Sequence, residues 1–294
     1  MQASLLPAAP AGFEVRLALT KGHGDETRQA LAKADLLLKR GPMTLLGPLA
    51  PDAALCETYR RRGMLEGSPT EYRAPTRIVV VPLTGLPKAC IRKWRENGHE
   101  VLDLTLPAVR RAQTALGLLT LEHCLPIVIG QHDAPEALAI AGESQGCKVC
   151  EDADQAAELP FAPKFGLVCQ TTISKRRAHA VAEALRLRHP DSRIVFLDTT
   201  TPAMTERERS VDGLSRWADS IIVAGERNDS SVRALIEAAR RLGLAAHAVP
   251  NAGALDLRDF TGCHRIGITA GEFSPDAVAD GIAARLETEA AAEG

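Results

Sequence analysis

The chain has 294 residues, enough for two or three small domains and a well-buried core. Its 35 Lys and Arg residues nearly cancel its 37 Asp and Glu residues, and the net charge of -2 argues against a nucleic-acid-binding or membrane-surface protein. Seven cysteines, an odd number in a chain of this size, do not indicate a disulfide framework and are typical of a reducing, cytoplasmic setting.

The beginning of the sequence predicts a flexible tail over residues 1–14. This stretch is rich in Ala and Pro, and it lacks the basic leader and the apolar run of a signal peptide. No other segment approaches the roughly 20 apolar residues that a membrane-spanning helix needs. We therefore expect a soluble, cytoplasmic protein with no membrane partner.

A pattern of strand, polar loop and helix repeats along the chain. The strand-like runs are 15–19, 43–46, 77–81, 100–104, 127–130, 147–150, 165–168, 193–197, 221–223, 245–249 and 265–268. The pattern restarts near residues 100 and 193, which predicts three similar α/β domains at 15–104, 105–197 and 198–294. Alternating strands and helices favour parallel sheets whose polar loops lie at one edge.

The stretch 220–243 shows this unit most clearly. A β-branched run is broken at Gly225 and followed by a polar loop and a helix, whose apolar stripe is Val232, Leu235, Ile236, Ala239 and Leu242. Four polar residues of the loop face the positive end of the helix dipole, which suits a ligand site: Asn228, Asp229, Ser230 and Ser231. The same residues also suit a simple helix cap, and both interpretations stay open.

Several loops, taken in order, carry a resemblance to a known family. They read IG…PE over 129–136, QTTIS over 170–174, G…NDSS over 225–231 and GITAG…SP over 267–275, with D…P over 103–107. Together they resemble the LytB/IspH family, the 4-hydroxy-3-methylbut-2-enyl diphosphate reductases of isoprenoid synthesis, across about residues 15–288. The resemblance implies three α/β domains in a pseudo-threefold trefoil around a central cavity, in agreement with the three sequence units.

The iron–sulfur centre of that family has no ligands here. Family members hold the cluster on three cysteines, one per domain. The resemblance places these positions at Gly24, Leu106 and Thr201, give or take one residue, and none of the three supplies a thiolate. The chain's own cysteines lie elsewhere, at Cys56, Cys90, Cys124, Cys147, Cys150, Cys169 and Cys263. We therefore predict a protein with no cluster, no metal and no other cofactor, which does not perform the reductive dehydroxylation of its relatives.

The diphosphate pocket of the family is also altered. The resemblance aligns its substrate-contacting histidines with Pro51, Thr84 and Ala134, and two of its serines with Asp229 and Phe273. A carboxylate repels a phosphate and a lost imidazole removes a donor, so we do not expect tight diphosphate binding.

Other positions of the pocket match the family: Glu136, Thr171, Thr172, Asn228 and Ser230. In relatives the glutamate and the first threonine belong to the network that delivers protons to the substrate. Glu136 follows Pro135 at the start of a predicted helix, where the dipole alone would favour a carboxylate. The functional interpretation makes Glu136 a general acid or base that is hydrogen-bonded to Thr171.

Four further features of the sequence are weaker indications of a functional site. The CxxC pair at 147–150 has metal-site spacing, but no second pair completes a site and a strand would place the two thiols on opposite faces. His23 and His132 lie in predicted cavity-edge loops, where lone histidines are usually polar surface. The three threonine hydroxyls at 199–201 suit either the binding of an anion or the capping of a helix. The turn at 22–24 lacks the rest of a dinucleotide fingerprint, so NAD is not indicated.

The sequence thus predicts an enzyme that acts on a small polar or phosphorylated metabolite in a central cavity by non-redox acid–base chemistry. The predicted catalytic residues are Glu136 and Thr171, and the predicted ligand contacts are Thr172, Asn228, Asp229, Ser230, Ser231, Phe273, Thr84 and His132. One alternative is a ligand-binding or regulatory pseudoenzyme, and another is a reductase whose cluster ligands were rebuilt from other cysteines. The sequence leaves the substrate and the oligomeric state open.

Overall fold

The computed structural model describes residues 14–292, and within them it shows an α/β fold of parallel strands flanked by helices. The strands are β1 (Glu14–Leu17), β2 (Met43–Leu46), β3 (Met64–Gly67), β4 (Ile78–Val81), β5 (Glu100–Asp103), β6 (Leu125–Ile129), β7 (Lys148–Cys150), β8 (Lys164–Cys169), β9 (Arg193–Phe196), β10 (Ser220–Ala224), β11 (Ala245–Val249) and β12 (Arg265–Ala270). The helices are α1 (Asp25–Leu38), α2 (Ala53–Arg61), α3 (Lys88–Glu96), α4 (Pro107–Leu121), α5 (Pro135–Ala141), α6 (Ala153–Ala157), α7 (Lys175–Arg188), α8 (Pro202–Ser215), α9 (Ser230–Arg241) and α10 (Asp276–Ala292). Two short 3-10 helices, Ala252–Ala254 and Leu257–Phe260, precede β12.

Three four-stranded parallel sheets share one spatial arrangement of strands, except that in sheet 3 the place of the last strand is taken by β1, from the start of the described chain. Sheet 1 has the order β3-β2-β4-β5, sheet 2 the order β7-β6-β8-β9, and sheet 3 the order β1-β12-β10-β11. The central strands are short, rich in branched apolar residues and buried on both faces, as parallel strands covered by helices should be. The predicted α/β class with three similar small parallel units is confirmed. The arrangement of the three around a threefold axis stays a prediction.

The first strand belongs to a different sheet from the one the sequence pattern suggested. β1 pairs in parallel with β12, in a register that sets Glu14 against Arg265 and Leu17 against Ile268. Placing residues 15–19 with the 15–104 domain was therefore wrong, because Val15 packs into the core of sheet 3. A strand pattern identifies the strand but not its partner. The predicted tail of residues 1–14 lies outside the described residues except for Glu14, which begins β1.

The described chain divides into two compact units. One contains residues 24–205 with 229–231 and holds sheets 1 and 2. The other contains residues 14–23, 206–228 and 232–292 and holds sheet 3. Apart from the placement of residues 15–19, the three-domain boundaries of the sequence analysis remain a prediction. None of the helices in residues 14–292 is long and apolar enough to cross a membrane.

Each sheet has an apolar core of its own against a flanking helix. In sheet 2, Phe165 and Leu167 pack with Val181 and Leu185 of α7, and none of the four is exposed to solvent. In sheet 3, Ile266 and Ile268 pack in the same way with residues of α10. Each such fully buried side chain stabilises the fold by about 1.5–3 kcal/mol.

The shared topology places loops from the two central strands of each sheet side by side. The two central strands are β2 and β4 in sheet 1, β6 and β8 in sheet 2, and β10 and β12 in sheet 3. In each sheet the two remaining strands lie on opposite sides of this central pair. A crevice opens at such a switch point, beyond the carboxyl ends of the strands. Nearly all of the predicted site residues lie in loops of this kind or directly after them.

Candidate functional site

A buried carboxylate, Glu136, lies at the switch point of sheet 2. Pro135 begins α5 and sets the backbone so that Glu136 points inward with only 3% of its surface exposed. Its Oε1 atom accepts a hydrogen bond of 2.5 Å from the backbone N–H of Thr171, in the loop after β8. The predicted Glu136–Thr171 contact is thus present, and it uses the backbone of Thr171.

Neighbouring hydrogen bonds fix the two loops that carry this pair. The backbone N–H of Gln170 donates to Ile129 O at 2.8 Å, which extends the β6–β8 pairing by one bond. The Gln170 side chain in turn accepts from the N–H of Gln131 at 3.0 Å. A side chain at Gly130 would place its Cβ 2.8 Å from Gln170 Cβ, so glycine lets the loops approach. The carboxylate is therefore held by a rigid frame.

Two further contacts extend this arrangement to the loop after β10. The hydroxyl of Thr172 hydrogen-bonds the hydroxyl of Ser230. Asp229 Oδ1 accepts from both the N–H and the hydroxyl of Ser231, each at 2.7 Å, and so caps α9. We call the group Glu136, Thr171, Thr172, Asp229, Ser230 and Ser231 the buried polar cluster, since none of its members is more than 6% exposed.

The other predicted ligand residues lie apart from these contacts. Thr84 is 3% exposed in the loop after β4, and its hydroxyl has no hydrogen-bond partner among the described residues. His132 is exposed, with its ring 2.9 Å from Gln155 Oε1. Asn228, which is exposed, and Phe273, which is buried, belong to the unit of sheet 3. The structure accounts for His132 as a link between its loop and α6.

The structure also reveals a buried charge that the sequence analysis missed. Arg207 of α8 is 1% exposed and donates to Glu272 at 3.0 Å and to the carbonyls of Ala270 and Gly22 at 2.8 and 2.5 Å. It thereby fixes the loop after β12 to the turn after β1. The helix places it in phase with the buried Val211, four residues later, and that spacing was the available signal.

The positions at which the resemblance places cluster ligands are helix starts. Gly24 is the N-cap of α1, Leu106 is the N-cap of α4, and Thr201 directly precedes α8. The backbone N–H groups of Leu106 and Thr201 donate at 3.0 Å to Leu83 O and Thr171 O, which are in equivalent loops of sheets 1 and 2. Thr201 Oγ1 accepts from Met204 N at 3.2 Å, so its hydroxyl acts as a cap. The side chains at Gly24, Leu106 and Thr201 are a hydrogen atom, an isobutyl group and a hydroxyl-bearing group. None of them supplies the thiolate that holds an iron–sulfur cluster.

The cysteines of the described residues are free thiols. Burial raises the pKa of Cys147 and Cys169 to about 12 and that of Cys150 to about 11, which disfavours the thiolate that binds metal. The CxxC pair therefore has the chemistry of packed thiols. No group of three or more His, Cys, Asp or Glu side chains within residues 14–292 is arranged to hold a metal ion.

Comparison with known proteins places the chain in a family. A family model described as LytB protein matches residues 21–287. The chain belongs to the LytB family. Among LytB relatives, the 4-hydroxy-3-methylbut-2-enyl diphosphate reductase of Anaeromyxobacter sp. (strain Fw109-5) is 29% identical over 277 residues, covering 93% of this chain and 97% of the relative. The protein of the same name from Solidesulfovibrio magneticus is 28% identical, covering 97% and 99%.

Solved structures of LytB-family enzymes share the fold. The E-1-hydroxy-2-methyl-but-2-enyl-4-diphosphate reductase of Plasmodium falciparum superposes with a TM-score of 0.84 at 17% identity, covering 92% of this chain and 86% of that one. A second structure, of an (E)-4-hydroxy-3-methyl-but-2-enyl diphosphate reductase, superposes with a TM-score of 0.64 at 23% identity, covering 94% and 99%. At these identities the likeness shows the fold alone.

Proposed function

We propose that this LytB-family protein is a cluster-free enzyme that acts on a small polar or phosphorylated metabolite by acid–base chemistry. One observation carries the proposal. The helix starts at Gly24, Leu106 and Thr201 offer no thiolate, while the buried carboxylate of Glu136 is retained and held against the Thr171 N–H. Reduction needs an electron carrier, whereas proton transfer needs only a fixed base and a donor.

In this proposal Glu136 is the catalytic base. Its carboxylate takes a proton from the bound metabolite, and the Thr171 N–H fixes the direction of the acceptor oxygen. The Thr172–Ser230 hydroxyl pair supplies hydrogen bonds to the oxygen on which negative charge develops. Acid–base assistance of this kind typically contributes about 10²–10⁴-fold in rate.

Asp229 argues for a substrate other than the reductase's diphosphate. Its carboxylate already accepts from the Ser231 N–H at the start of α9, where an anion would otherwise bind. A phosphate at the same place would meet a negative charge instead of a bare N–H. We therefore infer that any phosphoryl group of the ligand binds away from the start of α9.

A second candidate function is a ligand-binding or regulatory pseudoenzyme. The observation in its favour is that Thr172 and Ser230 hydrogen-bond each other and Asp229 bonds Ser231, so these groups are satisfied without a ligand. Such a protein would be stabilised by its ligand and would not convert it. The names of the relatives favour a third candidate, a reductase with rebuilt ligands, but the raised pKa values of the buried thiols oppose it.

The proposal is tested by untargeted mass spectrometry of a polar metabolite extract incubated with the purified protein in the absence of any reductant. We expect one metabolite to be consumed by the wild type and by the control D133N, in which an exposed carboxylate of the same loop is changed. E136Q should lose this turnover by at least about 10²-fold, the contribution expected of a catalytic base. Equal turnover by E136Q, or turnover only with an added electron donor, would contradict the proposal.

A further inference from the structure

A cavity lies in the unit of sheet 3, and no member of the buried polar cluster lines it. Its volume is about 650 Å³, within the roughly 300–1,000 Å³ range of small-molecule pockets. It is bounded by one face of α9, by the edge strand β11 and by the second 3-10 helix, and its charged lining is Arg227, Arg233, Arg240, Glu237, His247 and Asp259. We propose that this cavity binds a small phosphorylated molecule.

The proposal rests on the guanidinium groups of the three arginines that line the cavity. Arg233 and Arg240 are seven residues apart on α9 and therefore share one helix face, and Arg227 comes from the loop before the helix. None of the three forms an ion pair with a carboxylate among the described residues. Arg240 donates only to the carbonyl of Ala246, at 3.3 Å. Guanidinium groups that have no carboxylate partner remain available for bidentate bonds to phosphate oxygens.

The edge of sheet 3 adds backbone donors to the same cavity. Among the described strands β11 pairs only with β10, and Val249 directs its carbonyl to the N–H of Gly225 in that direction. Alternate residues of a parallel strand bond to the same neighbour, so Ala246 and Ala248 direct their N–H groups to the open edge. Their methyl groups and Ile236 provide apolar surface for an organic moiety.

The two carboxylates of the lining limit which anions suit the cavity. Of the fully charged side chains, three arginines against Glu237 and Asp259 leave a net charge of +1. The His247 ring lies 3.6 Å from Asp259. A phosphoryl group that reaches the three guanidinium groups is attracted, whereas an anion spread over the whole cavity would also meet both carboxylates.

The test is calorimetric titration of the full-length protein with inorganic pyrophosphate, with citrate as a polycarboxylate of comparable charge. We expect one pyrophosphate site per chain, affinity that falls with added salt, and weaker binding of citrate. R233A and R240A should each weaken pyrophosphate binding about tenfold or more, because each removes a charge-assisted hydrogen bond. R241A is the matched control, since Arg241 is an exposed neighbour on α9 that does not line the cavity.

The outcomes separate this site from any other anion site on the protein. Loss of binding in R233A and R240A, with R241A unchanged and all variants showing the wild-type unfolding transition, supports the assignment. Absence of pyrophosphate binding at millimolar concentration, or binding that R233A and R240A leave unchanged, would overturn it. Citrate binding as tight as pyrophosphate binding would overturn the phosphoryl assignment in particular.

Discussion

Burial decides the chemistry of the thiols in this protein. Cys150 and Cys169 are 1% and 0% exposed, and desolvation disfavours their charged form. Cys169 lies in β8, two residues before Thr171, yet it packs into the apolar core of sheet 2. A cysteine close in sequence to the candidate site is therefore not a ligand or a nucleophile of that site.

These thiols make stability depend on alkaline pH. Burial raises the pKa of folded Cys169 from 9.0 to about 12, so its contribution to folding is present below pH 9 and is lost as pH rises towards 12. We expect the free energy of unfolding to fall over that interval, and to fall less steeply in C169A. Urea unfolding at several pH values measures the slope.

The control for this prediction is V168A. Val168 is equally buried in the same strand, so its truncation leaves a comparable cavity without removing a titratable group. V168A should keep the wild-type slope. An unchanged slope in C169A would mean that Cys169 is not the group that titrates.

Replacing the buried Arg207 tests how much its hydrogen bonds and ion pair stabilise the fold. Replacing it with Ala leaves the carboxylate of Glu272 and two carbonyls without their buried donor, and breaking such a pair costs about 3–5 kcal/mol. R209A is the matched control, because Arg209 on the same helix is exposed and, among the residues that the structure describes, pairs only with Glu206. Its change should cost less than about 1 kcal/mol. Chemical denaturation compares the two. Equal losses would show that the buried network is not stabilising.

At the scale of single residues, the sequence predicted that Glu136 and Thr171 would be in contact, but not which atoms would meet. The Glu136–Thr171 pair was expected, and the buried polar cluster includes it. The bond to the Thr171 backbone was not foreseeable, since the sequence does not specify which atom faces the carboxylate. His132 was predicted as a ligand contact from its loop alone, and its bond to Gln155 depends on tertiary structure.

At the scale of secondary structure elements, the starts of helices define the candidate site. Asp229 was expected either to cap a helix or to line a ligand site, and the structure shows the cap through two bonds to Ser231. Capping and ligand recognition can be separated by substitution.

We expect D229A to lose about 1 kcal/mol of stability, since it removes the acceptor of the N-cap. D229N retains the acceptor oxygen and should stay within about 0.5 kcal/mol of the wild type. Thermal or urea unfolding gives both values. If D229N were as unstable as D229A, the negative charge rather than the cap would be the stabilising feature.

The sequence predicted where strands lie along the chain, but it did not predict which strands pair with each other. Periodicity and β-branched runs placed β2 and β11 with the bounds that the structure has. They placed β1 as a strand but in the wrong sheet, because its pairing with β12 joins residues about 250 positions apart. The short β3, Met64–Gly67, was missed, since four residues with a central Glu give little alternation.

At the scale of the whole molecule, the fold is that of the LytB-family reductases. Its three four-stranded parallel sheets match those of one such enzyme with a TM-score of 0.84. The helix starts at which the resemblance places the cluster ligands lack sulfur, and Glu136, which it aligns with the proton-delivery glutamate, is buried. The function proposed above therefore keeps the proton chemistry and dispenses with the electron carrier.

The most direct test of this claim is native mass spectrometry of the anaerobically purified protein, compared with its denatured mass and combined with iron and sulfide analysis. We expect no iron and no sulfide, and a native mass equal to the polypeptide or to the polypeptide with an organic ligand. Iron and sulfide in stoichiometric amounts, lost on denaturation, would contradict it and would return the protein to redox chemistry on rebuilt ligands.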